Sequence, residues 1–295
     1  MIRLSLVAIV VTFLFGVAFA QEENPIELVI RCDDSGMSHS ANMALEELCE
    51  TGLPFSTSVM FACPWYQEAV DILKENPHVS AGVHLTLNAE WKNFRWGPVA
   101  GADRVPTLVD STGHFTPSRS AFNALDPELD EIEIELRAQI ERALATGLEI
   151  DYVDYHMGTA VETPERRALV ERLADEYGLA ISRYYAERDV ESMYAEELDE
   201  KLDRLLAIVE ELDADSTNLL VCHIIADTPE AKALADLNKF GLKEMSRHRQ
   251  AELNALASEE FKLALDAKGV RLLTYGDLVE RHGVEGMIRT EVSGY

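Results

Sequence analysis

Residues 26–36 read IELVIRCDDSG, and the way this stretch ends decides the fold. Its first seven residues are a short, largely apolar run of the kind that forms a buried strand. In nucleotide-binding α/β folds the first strand is followed by a glycine-rich turn whose free backbone amides cradle phosphate. Here two adjacent aspartates, Asp33 and Asp34, stand in that place, ahead of Ser35 and Gly36. Acid there repels phosphate, so a doubly wound nucleotide fold is disfavoured and a (β/α) barrel is expected.

Working outward, short apolar runs alternate with amphipathic ones. Strands are expected at 55–62, 79–87, 150–156, 179–185, 218–223 and 270–274. Helices are expected at 42–50 (Ser38 or Ser40 as N-cap), 65–75, 127–145, 164–177, 196–212 and 245–267, with a short one at 276–282. The pattern is an α/β fold with about seven parallel strands. Residues 88–125 break the alternation. This long irregular segment carries Trp91 and Trp96 and is expected to be a functional insertion. No linker or fixed-period repeat divides the chain, so 21–295 is expected to be a single catalytic domain.

Residues 1–20 carry Arg3, an apolar run from Leu4 to Phe15, and Ala18-Phe19-Ala20. That is the layout of a signal peptide, with cleavage expected after Ala20 and a periplasmic or secreted mature protein with no membrane attachment. With 26 Lys+Arg against 53 Asp+Glu, the formal charge is −27. Such a chain repels nucleic acid and anionic membranes, which leaves a neutral or cationic small molecule or glycan as the easier partner. Cys32, Cys49, Cys63 and Cys222 contain no CxxC pair, so a thiolate zinc site is not expected. Spacing alone does not say whether they form disulfides. Oligomeric state is not legible here.

In parallel α/β folds the chemistry sits at the carboxyl ends of the strands. Those ends carry Asp33 and Asp34, His84, His156, Arg183 and His223. Taken singly, each has a bland reading: a turn-forming pair, a satisfied buried histidine, a surface arginine. Together, at the same end of successive strands, they suit a three-ligand site of one carboxylate and two imidazoles for a divalent cation. One aspartate would ligate the metal, the other would serve as base for an attacking water, and His223 would be the acid. Trp91 and Trp96 are candidates for stacking on a sugar ring. The other histidines, His39, His78, His114, His248 and His282, fall in helices or loops and read as solvated.

The segments LVIRCDDSGMSHSANMAL (28–45), FSTSVMF (55–61), AGVHLTL (81–87), DYVDYHMG (151–158) and NLLVCH (218–223) resemble the YdjC-like carbohydrate deacetylases. The resemblance spans roughly 26–280. It implies a (β/α) barrel related to the polysaccharide deacetylases, a divalent metal (zinc or magnesium) and hydrolysis of an N-acetyl group on an amino sugar. Carried over by position, it implies Asp34, His84 and His156 as metal ligands and Asp33 as base. It also implies His223 as acid and Arg183 as the arginine that keeps the base ionised. Gly158 and Ala160 stand where many members have further histidines, and EWKNFRWGPV (90–99) is similar to one subgroup only. A metal hydrolase of another amide or ester, and a non-catalytic glycan-binding barrel, are the alternatives. A non-haem iron oxygenase would share the ligand set, but the α/β alternation speaks against its usual all-β scaffold.

Overall fold

The expected first strand is the centre of the sheet. In the structure, a computed structural model that describes residues 25–289, β1 (Ile26–Ser35) is followed by α1 (His39–Glu50), β2 (Phe55–Val59), α2 (Tyr66–Glu75) and β3 (Val79–Leu85). After the insertion, which contains α3 (Arg119–Asn123), come α4 (Leu129–Ala145), β4 (Tyr152–Tyr155), α5 (Pro164–Tyr177), β5 (Ala180–Ile181) and β6 (Arg188–Asp189). Then follow α6 (Lys201–Glu211), β7 (Thr217–His223), α7 (Pro229–Lys232), α8 (Met245–Leu256), α9 (Glu259–Lys268), β8 (Val270–Leu273) and α10 (Tyr275–His282).

Every strand pair is parallel, in the order β5-β4-β3-β2-β1-β7-β6. An eighth strand, β8, pairs with the first half of β1. β2, β3 and β4 are buried along their whole length, as a parallel sheet covered on both faces requires. The sheet curls into a partial barrel, and side chains show it directly. Arg31 of β1 donates to Ser182 Oγ, just past β5, at 2.5 Å, although three strands separate β1 from β5 in the sheet. Arg183 and Asp189 then link the β5 side to β6 through an ion pair of 2.8 Å. Inside, the Tyr152 ring lies over Gly82, where a Cβ would come within 2.5 Å of it, so that position tolerates no side chain.

The local signals account for most element ends. Ser38 caps α1 by accepting from Ala41 N. Thr163 caps α5, Pro164 opens it and Gly178 closes it in the left-handed region. The single helix expected at 245–267 is two. Ser258 stops the first and caps the second by accepting from Phe261 N, with Glu259 and Glu260 in the new first turn. A cap of this type stabilises a helix start by about 1 kcal/mol. The strand expected at 179–185 stops at Ile181, and the two-residue β6 was not expected.

The insertion is closed on itself at one place and tied to its surroundings at two. Asn88 bridges to Thr116 in parallel. Val99 and Ala100 N–H groups donate to the buried Glu135 carboxylate of α4 at 2.9 and 2.8 Å. Trp91 bridges antiparallel to Asp236 in the loop before α8, with Lys92 N donating to Ala235 O and Leu237 N to Glu90 O, both at 2.8 Å. The leader reading falls on residues outside those described. All four cysteines are buried free thiols. No helix among the described residues is long and apolar enough to cross a membrane.

Candidate active site

The end of β1 is irregular, and that irregularity builds the site. Cys32 pairs with Thr57 and Ser35 with Val59, so two residues, Asp33 and Asp34, stand opposite one on β2. This is a bulge. Asp34 takes φ +69°, a left-handed conformation that aspartate tolerates better than most residues. The bulge turns two consecutive carboxylates inward where a regular strand would have sent them to opposite faces.

Asp34 then meets both histidines. Its Oδ1 lies 3.4 Å from His84 Nε2 and 3.3 Å from His156 Nδ1, and those two nitrogens are 3.3 Å apart. His84 sits on β3, and His156 follows the last residue of β4, two positions beyond Asp154 and therefore on the same face. The three residues are 1%, 2% and 5% exposed. Asp34 Oδ1 makes no hydrogen bond, and the three facing atoms form the donor set of one carboxylate and two imidazoles that a divalent cation takes. A second triplet, Asp33, His84 and Asp154, is also close enough. There the Arg31 guanidinium already supplies the positive charge, bonding Asp33 through Nε (2.7 Å) and Nη2 (2.9 Å) and lying 3.2 Å from Asp154 Oδ2.

Each histidine has its outer nitrogen on a carboxylate. His84 Nδ1 is 2.7 Å from Asp154 Oδ1, its register partner on β4. His156 Nε2 is 3.0 Å from Glu90 Oε2, delivered by the insertion. Burial disfavours the charged imidazole, but these carboxylates outweigh it. His84 is raised well above its ordinary range by Asp154 and Asp33, and His156 is raised to about 9 by Glu90 and Asp34. Such partners fix tautomer and ring orientation in metal sites. Glu90→Ala is therefore expected to weaken the affinity of the triangle for a divalent cation about 10- to 100-fold, measured with zinc as the probe against a competing chelator; unchanged affinity would place Glu90 outside the network that orients His156.

The carboxylates are held ionised. Burial opposes charge on Asp34, but Arg249 of α8, whose Nη1 bonds Oδ2 at 2.7 Å, and the two imidazoles hold its pKa well below the usual carboxylate range. Burial likewise opposes charge on Asp33, and Arg31 brings it down to about 2. Arg31→Met would leave Asp33 and Asp154 buried without their cation. Removing one partner of a buried pair typically costs about 3–5 kcal/mol, and a loss of that size is expected in chemical denaturation at neutral pH.

Arg183, expected to hold the base, does not. β5 ends before it, Arg183 takes φ +73° in a left-handed turn, and its guanidinium pairs with Asp189 instead. The guanidinium on Asp33 is that of Arg31. Trp96 is corrected too. It is buried, its Nε1 donates to Asn88 O at 2.7 Å, and its ring packs edge-on against His156, 6.3 Å between centroids. It anchors the insertion and does not reach the cleft. Trp91 does line the cleft, beneath Arg249, whose guanidinium carbon lies 5.8 Å from the ring centroid. His39 faces away from the site, stacked on Trp65 and bonded to Glu68. His78 and His248, read as solvated, each bury a ring nitrogen.

Asp33, Asp34, His84, Glu90, His156 and Arg249 line one cavity of about 810 Å³ at the carboxyl end of the sheet. His223, at the end of β7, lines the same cavity, and its Nδ1 is buried without a hydrogen-bond partner. Burial and the charge of Arg249 lower its pKa. Tyr194 stands beside it, ring centroids 5.8 Å apart and edge to face.

The description YdjC-like protein belongs to the family model that matches residues 27–267. A protein of Brevibacillus brevis named carbohydrate deacetylase is 28% identical over 267 residues, covering 86% of this chain and 100% of the relative. Carbohydrate deacetylase 1 of Listeria innocua is 27% identical over 260 residues, with the same coverage. Among solved structures, a protein of Enterococcus faecalis, described as a candidate cellobiose-phosphate cleavage protein, superposes with a TM-score of 0.71 at 22% identity, covering 86% of this chain and 99% of that one. That last likeness is one of fold.

Proposed function

The chain belongs to the YdjC-like family, and on that premise we propose that it is a metal-dependent carbohydrate deacetylase, releasing acetate from an N-acetylated amino sugar or oligosaccharide. The observation that carries the reading is the triangle of Asp34 Oδ1, His84 Nε2 and His156 Nδ1, with sides of 3.3–3.4 Å and an ionised aspartate next to it in sequence. The names of the curated relatives support the substrate class.

Asp34, His84 and His156 would hold a divalent ion, zinc or magnesium, which when bound supplies Lewis-acid polarisation of the acetamide carbonyl and a more acidic water. Asp33 is the base. Arg31 keeps it charged and aims it, so it accepts a proton from the water that attacks the acetyl carbon. His223 is the acid. It gives a proton to the sugar nitrogen as the C–N bond breaks. The products are acetate and an amino sugar, and each general acid or base step contributes about 10²- to 10⁴-fold. Tyr194, half-buried at the cleft wall, offers ring surface to the sugar, while Trp91 backs the cleft beneath Arg249.

Metal analysis of the purified protein, coupled to an acetate-release screen over N-acetylated mono- and oligosaccharides, esters and peptides, tests the reading. Chelator-sensitive acetate release from amino sugars is expected. Turnover confined to esters or peptides would make it a different metal hydrolase, and bound metal without turnover a glycan-binding barrel. Export belongs to the same reading and is supported by the layout of residues 1–20. N-terminal sequencing of the protein recovered outside the cytoplasm is expected to begin at Gln21; a chain starting at Met1 would overturn it.

A further inference from the structure

A buried ion pair lies behind the cleft, and the chemistry above does not use it. Lys201, at the start of α6, and Glu252, on α8, are each 1% exposed and 3.4 Å apart. Two charges taken out of water persist only where further hydrogen bonds satisfy both ends, and apolar residues would fill the same volume at no such cost. Here the further bonds run to the site. Lys201 Nζ donates to Met193 O at 2.6 Å and to Tyr194 O at 2.9 Å. Glu252 Oε2 accepts from the backbone N–H of His223 at 3.0 Å.

The pair thus fastens two segments that are distant in sequence: the loop after β6 that carries Tyr194, and the last residue of β7. Both side chains line the cleft and meet edge to face. Arg249, nearly one turn before Glu252 on α8, bonds Asp34, so the same helix sets the pair in register with the ligand triangle. We propose that Lys201 and Glu252 are positioning residues: a buried strut that fixes the Tyr194 ring and the His223 imidazole relative to each other and to Asp34. The proposal rests on the deacetylase reading, in which His223 meets the departing nitrogen and Tyr194 the sugar. Displacing such groups by about 1 Å can cost about 100-fold in rate.

The test compares the zinc-loaded mature protein with Lys201→Met, Tyr194→Ala and the double variant. Lys201→Met is expected to keep full zinc stoichiometry and to lose about 10- to 100-fold in kcat/KM on the best amino sugar of the screen. The double variant is expected to lose less than the product of the two single losses, because part of the Lys201 effect passes through Tyr194. Additive losses, or a Lys201→Met enzyme as active as the parent, would overturn the proposal. Should Lys201→Met fail to fold, Glu252→Gln enters the same cycle, since its amide oxygen still accepts from His223 N–H while the charge pair is gone. Amide hydrogen exchange gives a readout independent of turnover. The stretches around 192–197 and 220–225 are expected to exchange at least about tenfold faster in the variants, with the strand around His84 unchanged. If the parent releases acetate from no amino sugar, the deacetylase reading falls and exchange alone decides the strut; unaltered exchange would remove it.

Discussion

Asp33→Asn is expected to lower kcat about 10³-fold while the protein keeps its full complement of zinc. The substitution preserves size and removes the one capacity the base needs. Asp33 is ionised because both of its oxygens face the Arg31 guanidinium, which holds its pKa at about 2, so the proton-accepting form is present throughout the working pH range. Asparagine still accepts a hydrogen bond from Arg31, and Asp154 stays beside that guanidinium, so the site is not left with an uncompensated buried cation. The Asp34 triangle is untouched. Steady-state kinetics with metal analysis on the same preparation check this. A variant that loses zinc would make Asp33 a ligand, and one that keeps activity would move the base elsewhere.

His84→Ala is expected to lose metal and turnover together. It deletes Nε2 from the triangle and also strips Asp154 Oδ1 of its partner. Removing an outer-shell partner of a metal ligand costs about 10- to 100-fold in affinity, and removing the ligand itself should exceed the upper end of that range. Titration with zinc is expected to show the loss, with activity returning only at far higher metal concentration if it returns at all. A fully metallated, inactive variant would take His84 out of the coordination sphere and leave it a substrate-binding role.

The chain makes its candidate ligands legible for a physical reason. Asp34, His84 and His156 are polar residues at the ends of apolar strands, and the parallel fold collects such ends on one side. Arg31 was equally visible. It is a lone cation inside an apolar run, two residues before Asp33, and period-two alternation places both on one face. Arg183 misled because a two-residue strand gives no such alternation, and the chain turns left-handed before the side chain can point inward. Glu90 lay hidden in an irregular segment, where no periodicity says which residue reaches back to His156. Arg249 and Glu252 were hidden in the opposite way. On a helix their spacing looks like an ordinary polar face, and only tertiary packing reveals that this face is buried.

The lateral margins of the sheet have their own consequence. β5 and β6, which end it on either side, are two residues long each, and the side chains of Arg183 and Asp189 pair across them. An unpaired strand of ordinary length is a template for adding a stranger's backbone; stubs this short offer almost no ladder to copy. Among the described residues these two margins are therefore poor templates for a second copy's backbone, and pairing at either one would first require the Arg183–Asp189 contact to part.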